Sequence, residues 1–216
     1  TFEASYDYIL SSVMIYNSTD VRVEQTHFFN NRGSYLGVLF LQNVTNGLVE
    51  NCKLNHNYAG GGLMTMYCKN ITVNNCEFQN NTADAFWAFG GQHIFSSEVK
   101  VTNNVYINNH GGYFGGGLRI SYDEDLEEIR YLCIENCEFI NNTATIDGGA
   151  ISNIVTEDRT IRNFTIIDTL FLGNFADISG GAVSMGLSGL GYIHIENSVF
   201  TNNRAGDRGG ALLSAE

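Results

Sequence analysis

One pattern is written seven times along this chain, and it limits the fold more than any other feature. Its clearest copy is Ile134-Glu-Asn-Cys-Glu-Phe-Ile-Asn-Asn-Thr-Ala-Thr-Ile-Asp-Gly-Gly-Ala-Ile151. With Ile134 as position zero, the other copies start at Val23, Val49, Val73, Val101, Ile166 and Ile195, spaced by 26, 24, 28, 33, 32 and 29 residues along the series. Periods in this range are the signature of a solenoid. Plus five is always bulky (Phe28, Leu54, Phe78, Tyr106, Phe139, Phe171, Phe200) and plus ten is always Gly or Ala. Plus eight is Asn in every copy: Asn31, Asn57, Asn81, Asn109, Asn142, Asn174 and Asn203.

The same residue type at the same place in every turn lets those positions stack at the strand spacing of about 4.8 Å. Minus two and zero carry mostly apolar residues, while the position between them (Arg22, Leu48, Thr72, Lys100, Cys133, Thr165, His194) is mostly polar. That alternation predicts a strand with minus two and zero facing inward. Asn tolerates the left-handed backbone that a sharp bend requires, and stacked amides hydrogen-bond along the axis. The plus-eight Asn column therefore reads as a corner ladder. Plus two (Gln25, Asn51, Asn75, Asn103, Asn136, Asp168, Asn197) reads as a second one. The Gly-Gly pair supplies a third tight bend before a short apolar strand, so two to three parallel strands per turn are expected.

The fold class is thus all-β, a parallel β-helix of about seven coils. The absence of Pro from 216 residues agrees, since a strand with neighbours on both sides cannot lose an N–H. No apolar run approaches the roughly 20 residues of a membrane-spanning helix. Residues 1–216 are expected to form one β-helix segment. The chain begins and ends within a coil and lacks polar caps, so the reading is a piece of a longer protein.

Three matches are complete: Phe139-x-x-Asn142 with Gly148-Gly-Ala-Ile151, Phe171-x-x-Asn174 with Gly180-Gly-Ala-Val183, and Phe200-x-x-Asn203 with Gly209-Gly-Ala-Leu212. They resemble the repeats of chlamydial polymorphic outer-membrane proteins and related pectin-lyase-like surface proteins. The resemblance implies a right-handed helix exposed at a cell surface, with adhesive or structural roles.

The net charge of −12 argues against nucleic acid as a partner, because such binding needs a basic footprint. No cofactor motif is present. Length variation falls mostly after the Gly-Gly-Ala strand, where Ser121–Glu128 forms an acidic insertion. Asp123 and Asp125 are weak candidates for a hard cation there, but their spacing matches no calcium loop. Tyr35, Phe86, Trp87, Tyr113 and Phe114 all fall between the small residue and Gly-Gly, so they are candidates for a stripe that binds glycans or a partner.

Catalysis is the rival function. A carbohydrate-active β-helix needs carboxylates converging on one face. Asp207 and Arg208 come nearest, with Asp147 and Asp177 displaced in register, and no catalytic residue is assigned.

Cys52, Cys76 and Cys137 share plus three and are expected inward. Stacked Cys52 and Cys76 have Cα atoms within disulfide range but parallel Cβ vectors, so the pair is expected mainly reduced. The odd total of 5 leaves at least one Cys without an intrachain partner.

Six Asn-x-Ser/Thr sequons complete the reading, at Asn17, Asn43, Asn70, Asn80, Asn141 and Asn163. Asn17 and Asn43 both lie six before their zero residue, Asn70 and Asn163 three before, and Asn80 and Asn141 at plus seven. Recurring sites on a solenoid generate columns of glycans. In a eukaryotic setting the expectation is an N-glycosylated extracellular filament, stalk or surface-layer element that assembles with itself or binds extracellular glycans or proteins. The buried ladder Asn should carry no sugar.

Overall fold

The structure, a computed structural model, describes residues 2–3, 12–32, 36–58, 60–83, 89–121, 129–154, 161–185 and 190–214. Tyr35, Phe86, Trp87, Asp123 and Asp125 lie outside the described residues. All regular elements among the described residues are short strands, and every pairing between them is parallel.

The strands stack into sheets of 8, 8, 7 and 4 strands. One coil shows the plan: Tyr131–Glu135 carries position zero, Glu138–Ile140 carries plus five, and Thr143–Ala144 carries plus ten. Ile151–Ile154 follows Gly-Gly-Ala. Each pairs in register with its counterpart a turn away, as in Ile134 with Ile166, Phe139 with Phe171, Ala144 with Ala176 and Ile151 with Val183. The seven copies wind into about six turns, slightly fewer than the repeat count suggests. The two-residue plus-ten strands add a fourth side to the two or three expected.

The core is a set of vertical columns. Ile71, Val73, Val99, Val101, Leu132, Ile134, Phe164 and Ile166 are buried at minus two and zero. At plus five the rings of Phe78, Tyr106, Phe139, Phe171 and Phe200 stack nearly parallel, with centroids 4.5 to 5.1 Å apart. Fully burying such a side chain contributes about 1.5–3 kcal/mol. The Tyr106 hydroxyl, embedded in this column, donates to Gln92 Oε1 at 2.6 Å. Burial therefore strands no hydroxyl there.

The plus-eight ladder is present. Asn109 Nδ2 donates to Phe78 O at 2.8 Å and to Asn142 Oδ1 at 3.0 Å, and the same pattern repeats at Asn57, Asn81, Asn142 and Asn174. The conformational reason for it needs correction. The left-handed residue is the one before: Asn30, His56, Asn80, Asn108, Asn141, Gly173 and Asn202 have φ of 52° to 66°. The bend is made at plus seven, and it swings the plus-eight amide inward to the carbonyls. Plus two behaves as expected, with φ of 49° to 56° in all seven copies and exposed amide contacts such as Asn75 to Asn51 at 2.6 Å.

Two departures from the simple inside–outside alternation matter. Cys133 stands in the outward column yet is buried, with Lys100 and Thr165 as its register neighbours. More extensively, the Gly-Gly-Ala sheet is covered on both faces. Its outward column contains Phe40, Met64, His93, Arg119, Ser152 and Ser184, all buried. The turn ahead of Gly-Gly folds back over it. The Arg119 guanidinium lies 5.5 Å from the Phe114 ring, and Phe40, Met64 and Phe89 form a second small cluster. Gly148 makes this close return possible with φ of 68°, because a Cβ there would meet Ile151 O at 2.2 Å.

Candidate functional site

Five of the six sequon asparagines sit on left-handed bends: Asn17, Asn43, Asn70, Asn80 and Asn141, with φ of 48° to 55°. Asn17, Asn43, Asn70, Asn141 and Asn163 are exposed, and Asn80 is half-buried. Stacking brings some of them together. Asn43 Nδ2 donates to Asn17 Oδ1 at 3.0 Å, while Asn70 Nδ2 reaches Asn46 Oδ1 at 2.8 Å in the minus-three column. Asn80 Nδ2 lies 3.0 Å from His56 Nε2. An N-linked amide keeps one N–H, so these contacts are compatible with a sugar at the same nitrogen. All six sequons use Thr.

Two members of the aromatic stripe, Tyr113 and Phe114, lie among the described residues. Tyr113 and Phe114 are half-buried, their rings 6.2 Å apart, and Phe114 covers Arg119. The other three aromatic candidates fall outside the described residues, as does the acidic insertion. Among the described residues no group of three or more His, Cys, Asp or Glu gathers as a metal set would.

The carboxylates considered for catalysis do not converge. Asp147 stacks in a column with Phe114, Ser179 and Arg208, so Asp207, one residue before Arg208, lies in the preceding column. Arg208 Nε instead pairs with its own neighbour Asp207 at 3.3 Å. The plus-one glutamates are surface groups held locally: Glu24 by Arg22 at 2.6 Å, Glu135 by Lys100 at 3.4 Å, and Glu50 by the Asn74 amide at 2.7 Å. Burial raises the Asp147 carboxyl above the usual carboxylate range, against the opposing hydrogen bonds from Ser179.

The plus-three column has a rule that the pattern alone did not reveal. The backbone N–H of each copy donates to the plus-three side chain one turn on. Cys52 N–H donates to Cys76 Sγ (3.4 Å), Cys76 to Asn104 Oδ1 (2.7 Å), Cys137 to Thr169 Oγ1 (3.4 Å) and Thr169 to Ser198 Oγ (3.2 Å). The position therefore requires a small side chain that accepts a hydrogen bond, and Thr, Cys, Asn and Ser all qualify. All five cysteines are free thiols, Cys52 and Cys76 included. The neighbouring Cys76 thiol draws Cys52 down to about 7, and the Cys52 side chain together with burial holds Cys76 protonated. Burial pushes the Cys137 thiol up to about 12. A groove of about 320 Å³ opens over the first two, lined by Asn51, Cys52, Lys53, Asn75, Cys76 and Glu77 among others.

Continuous parallel sheets, an internal Asn ladder and Gly-Gly bends define the class as a parallel β-solenoid. The chain belongs to the right handed beta helix region family, which it matches over residues 9–130, more than half its length. Residues 136–154 and 197–215 match the Chlamydia polymorphic membrane protein repeat. The chain is also 29% identical over 146 residues to the metabotropic glutamate receptor-like protein R of Dictyostelium discoideum, an alignment that covers 66% of this chain and 8% of that relative. No solved structure matches.

Proposed function

We propose that this chain is a non-catalytic extracellular surface element, a rigid glycosylated β-helical stalk or adhesive segment. The observation that carries the reading is the placement of the sequons. Five of the six asparagines are exposed, most of them on left-handed bends that recur from turn to turn, while the adjacent ladder asparagines face the core. Sugars at those bends coat the outside without touching the ladders that hold the coils together. The similarity to polymorphic membrane protein repeats and to a receptor-like protein of a eukaryote supports a surface location and a secretory route on which N-glycosylation occurs. Dispersed carboxylates support a non-enzymatic role. Partners on this reading are extracellular glycans, surface proteins or further copies of the chain.

A carbohydrate-binding or carbohydrate-active β-helix is the competing reading, and it rests on the Tyr113–Phe114 edge. Phe114 already spends one face on Arg119, which leaves less of it for a ligand.

Secretion of the chain from a eukaryotic host, followed by mass spectrometry before and after glycosidase, tests the proposal. Sugar is expected at most of Asn17, Asn43, Asn70, Asn80, Asn141 and Asn163 and at none of the ladder positions. An unmodified mass removes the glycoprotein reading.

A further inference from the structure

We propose that the stacked Cys52–Cys76 pair is a two-coordinate site for a soft monovalent metal ion of the Cu(I) type. The two side chains adopt the same pose. Cys52 Sγ lies 3.4 Å from Val23 O and 3.3 Å from Glu50 O, and Cys76 Sγ lies 3.6 Å from Val49 O and 3.2 Å from Asn74 O, the equivalent atoms one turn on. Equal poses on stacked strands separate the sulfurs by about one turn spacing, 4.8 Å. A disulfide bond is about 2.05 Å long, so it requires both side chains to leave that pose. Two collinear metal–sulfur bonds, taken at the about 2.3 Å of a zinc–thiolate bond, span about 4.6 Å, close to that separation.

The donor set selects the ion. Thiolates are soft ligands that favour Cu(I) over hard cations. A tetrahedral Zn²⁺ site needs further ligands, and no third His, Cys, Asp or Glu joins the pair among the described residues. Cys137, the other cysteine of the column, is separated from Cys76 by Asn104. On binding, each thiol gives its proton to solvent and two metal–sulfur bonds form, leaving a bis-thiolate complex of charge −1. The Thr26 and Cys52 amides, which already donate to the two sulfurs, offset that charge. The groove beside Asn51 and Asn75 gives the ion its route in. No redox step is involved.

Ag(I), an air-stable probe of the same coordination preference, is titrated into the full chain in chloride-free buffer and followed by native mass spectrometry. One ion is expected to bind ahead of all others. Cys52→Ser and Cys76→Ser should each weaken that first ion about a hundredfold by removing the second tether, while Cys133→Ser and Cys137→Ser leave it unchanged. Serine keeps the acceptor that the column needs, so the Cys52→Ser, Cys76→Ser and Cys137→Ser proteins should melt within about 4 °C of the wild type. X-ray absorption on the wild-type one-ion complex reads the site without any variant. Two sulfur neighbours are expected; a single sulfur, or a first ion indifferent to both Cys52→Ser and Cys76→Ser, overturns the proposal.

Discussion

The amide of Cys52 donates its N–H to the sulfur of Cys76 one turn away, at 3.4 Å, and both residues are buried. The sulfur thus serves the backbone as an acceptor. Cys76→Ala should orphan that N–H and cost about 1–3 kcal/mol in urea denaturation. Cys76→Ser should cost less than about 1 kcal/mol, since Oγ accepts in its place as Thr169 and Ser198 do elsewhere in the column. Equal losses for the two variants would mean that packing volume, not acceptor chemistry, governs the position.

The ladder makes a graded prediction. Asn109 takes bonds from the Asn81 amide (3.1 Å) and side chain (3.0 Å) and donates to Phe78 O and Asn142. Asn109→Ala removes these contacts inside the core and should destabilise by about 3–5 kcal/mol. Asn203 is half-buried and still bonds to Asn174 and Phe171 O. Asn203 itself is open to water, which can fill the space its amide leaves, so Asn203→Ala should cost less than half as much. Denaturation midpoints of the two variants make the comparison.

How legible this architecture is depends on which columns repeat. Stacking forces like residues into register, so the period, the Phe139–Phe171 stack and the plus-eight ladder can all be read from spacing. The left-handed bend is harder to place because Asn recurs in adjacent pairs such as Asn80–Asn81 and Asn141–Asn142. The pattern shows two Asn columns side by side, and the backbone shows which of them makes the bend. His56 and Gly173, which interrupt the plus-seven column alone, are the signal that separates them, since Gly readily takes positive φ. The burial of His93 and Arg119 escaped for another reason. What covers them comes from segments of unequal length between plus ten and Gly-Gly, which leave no periodic trace.

The Phe stack offers a test of how cooperative the coils are. Phe139 lies between Tyr106 at 4.5 Å and Phe171 at 5.1 Å, fully buried. Phe139→Ala should cost about 3–5 kcal/mol, and Phe139→Leu markedly less because Leu54 already serves at this position. In a solenoid the loss is local to neighbouring turns. Hydrogen exchange should therefore rise first in the strands Val105–Ile107, Glu138–Ile140 and Leu170–Leu172, and uniform acceleration along the chain would contradict nearest-neighbour stacking.

Asp147 gives the pH dependence its sign. One of its oxygens, Oδ1, is buried without a hydrogen-bond partner, and burial raises the carboxyl above its ordinary 3.8 despite the hydrogen bonds from Ser179. A carboxyl raised on folding stabilises the fold while it is protonated, below its unfolded value. That contribution is lost as pH climbs through the folded value, because the native state must then hold a poorly solvated charge. Asp147→Asn removes the charge and keeps the shape. The variant should therefore melt higher than wild type at pH 7, by on the order of 1–3 °C, with the gap narrowing as pH falls through the raised folded value and closed below about 4. Ser179→Ala should act oppositely at pH 7, since it withdraws the hydroxyl hydrogen bond that favours the carboxylate and leaves only the backbone one. Thermal melts of the three proteins between pH 3 and 7 make the check, and a gap that stays constant across that range would show that the Asp147 charge carries no folding penalty.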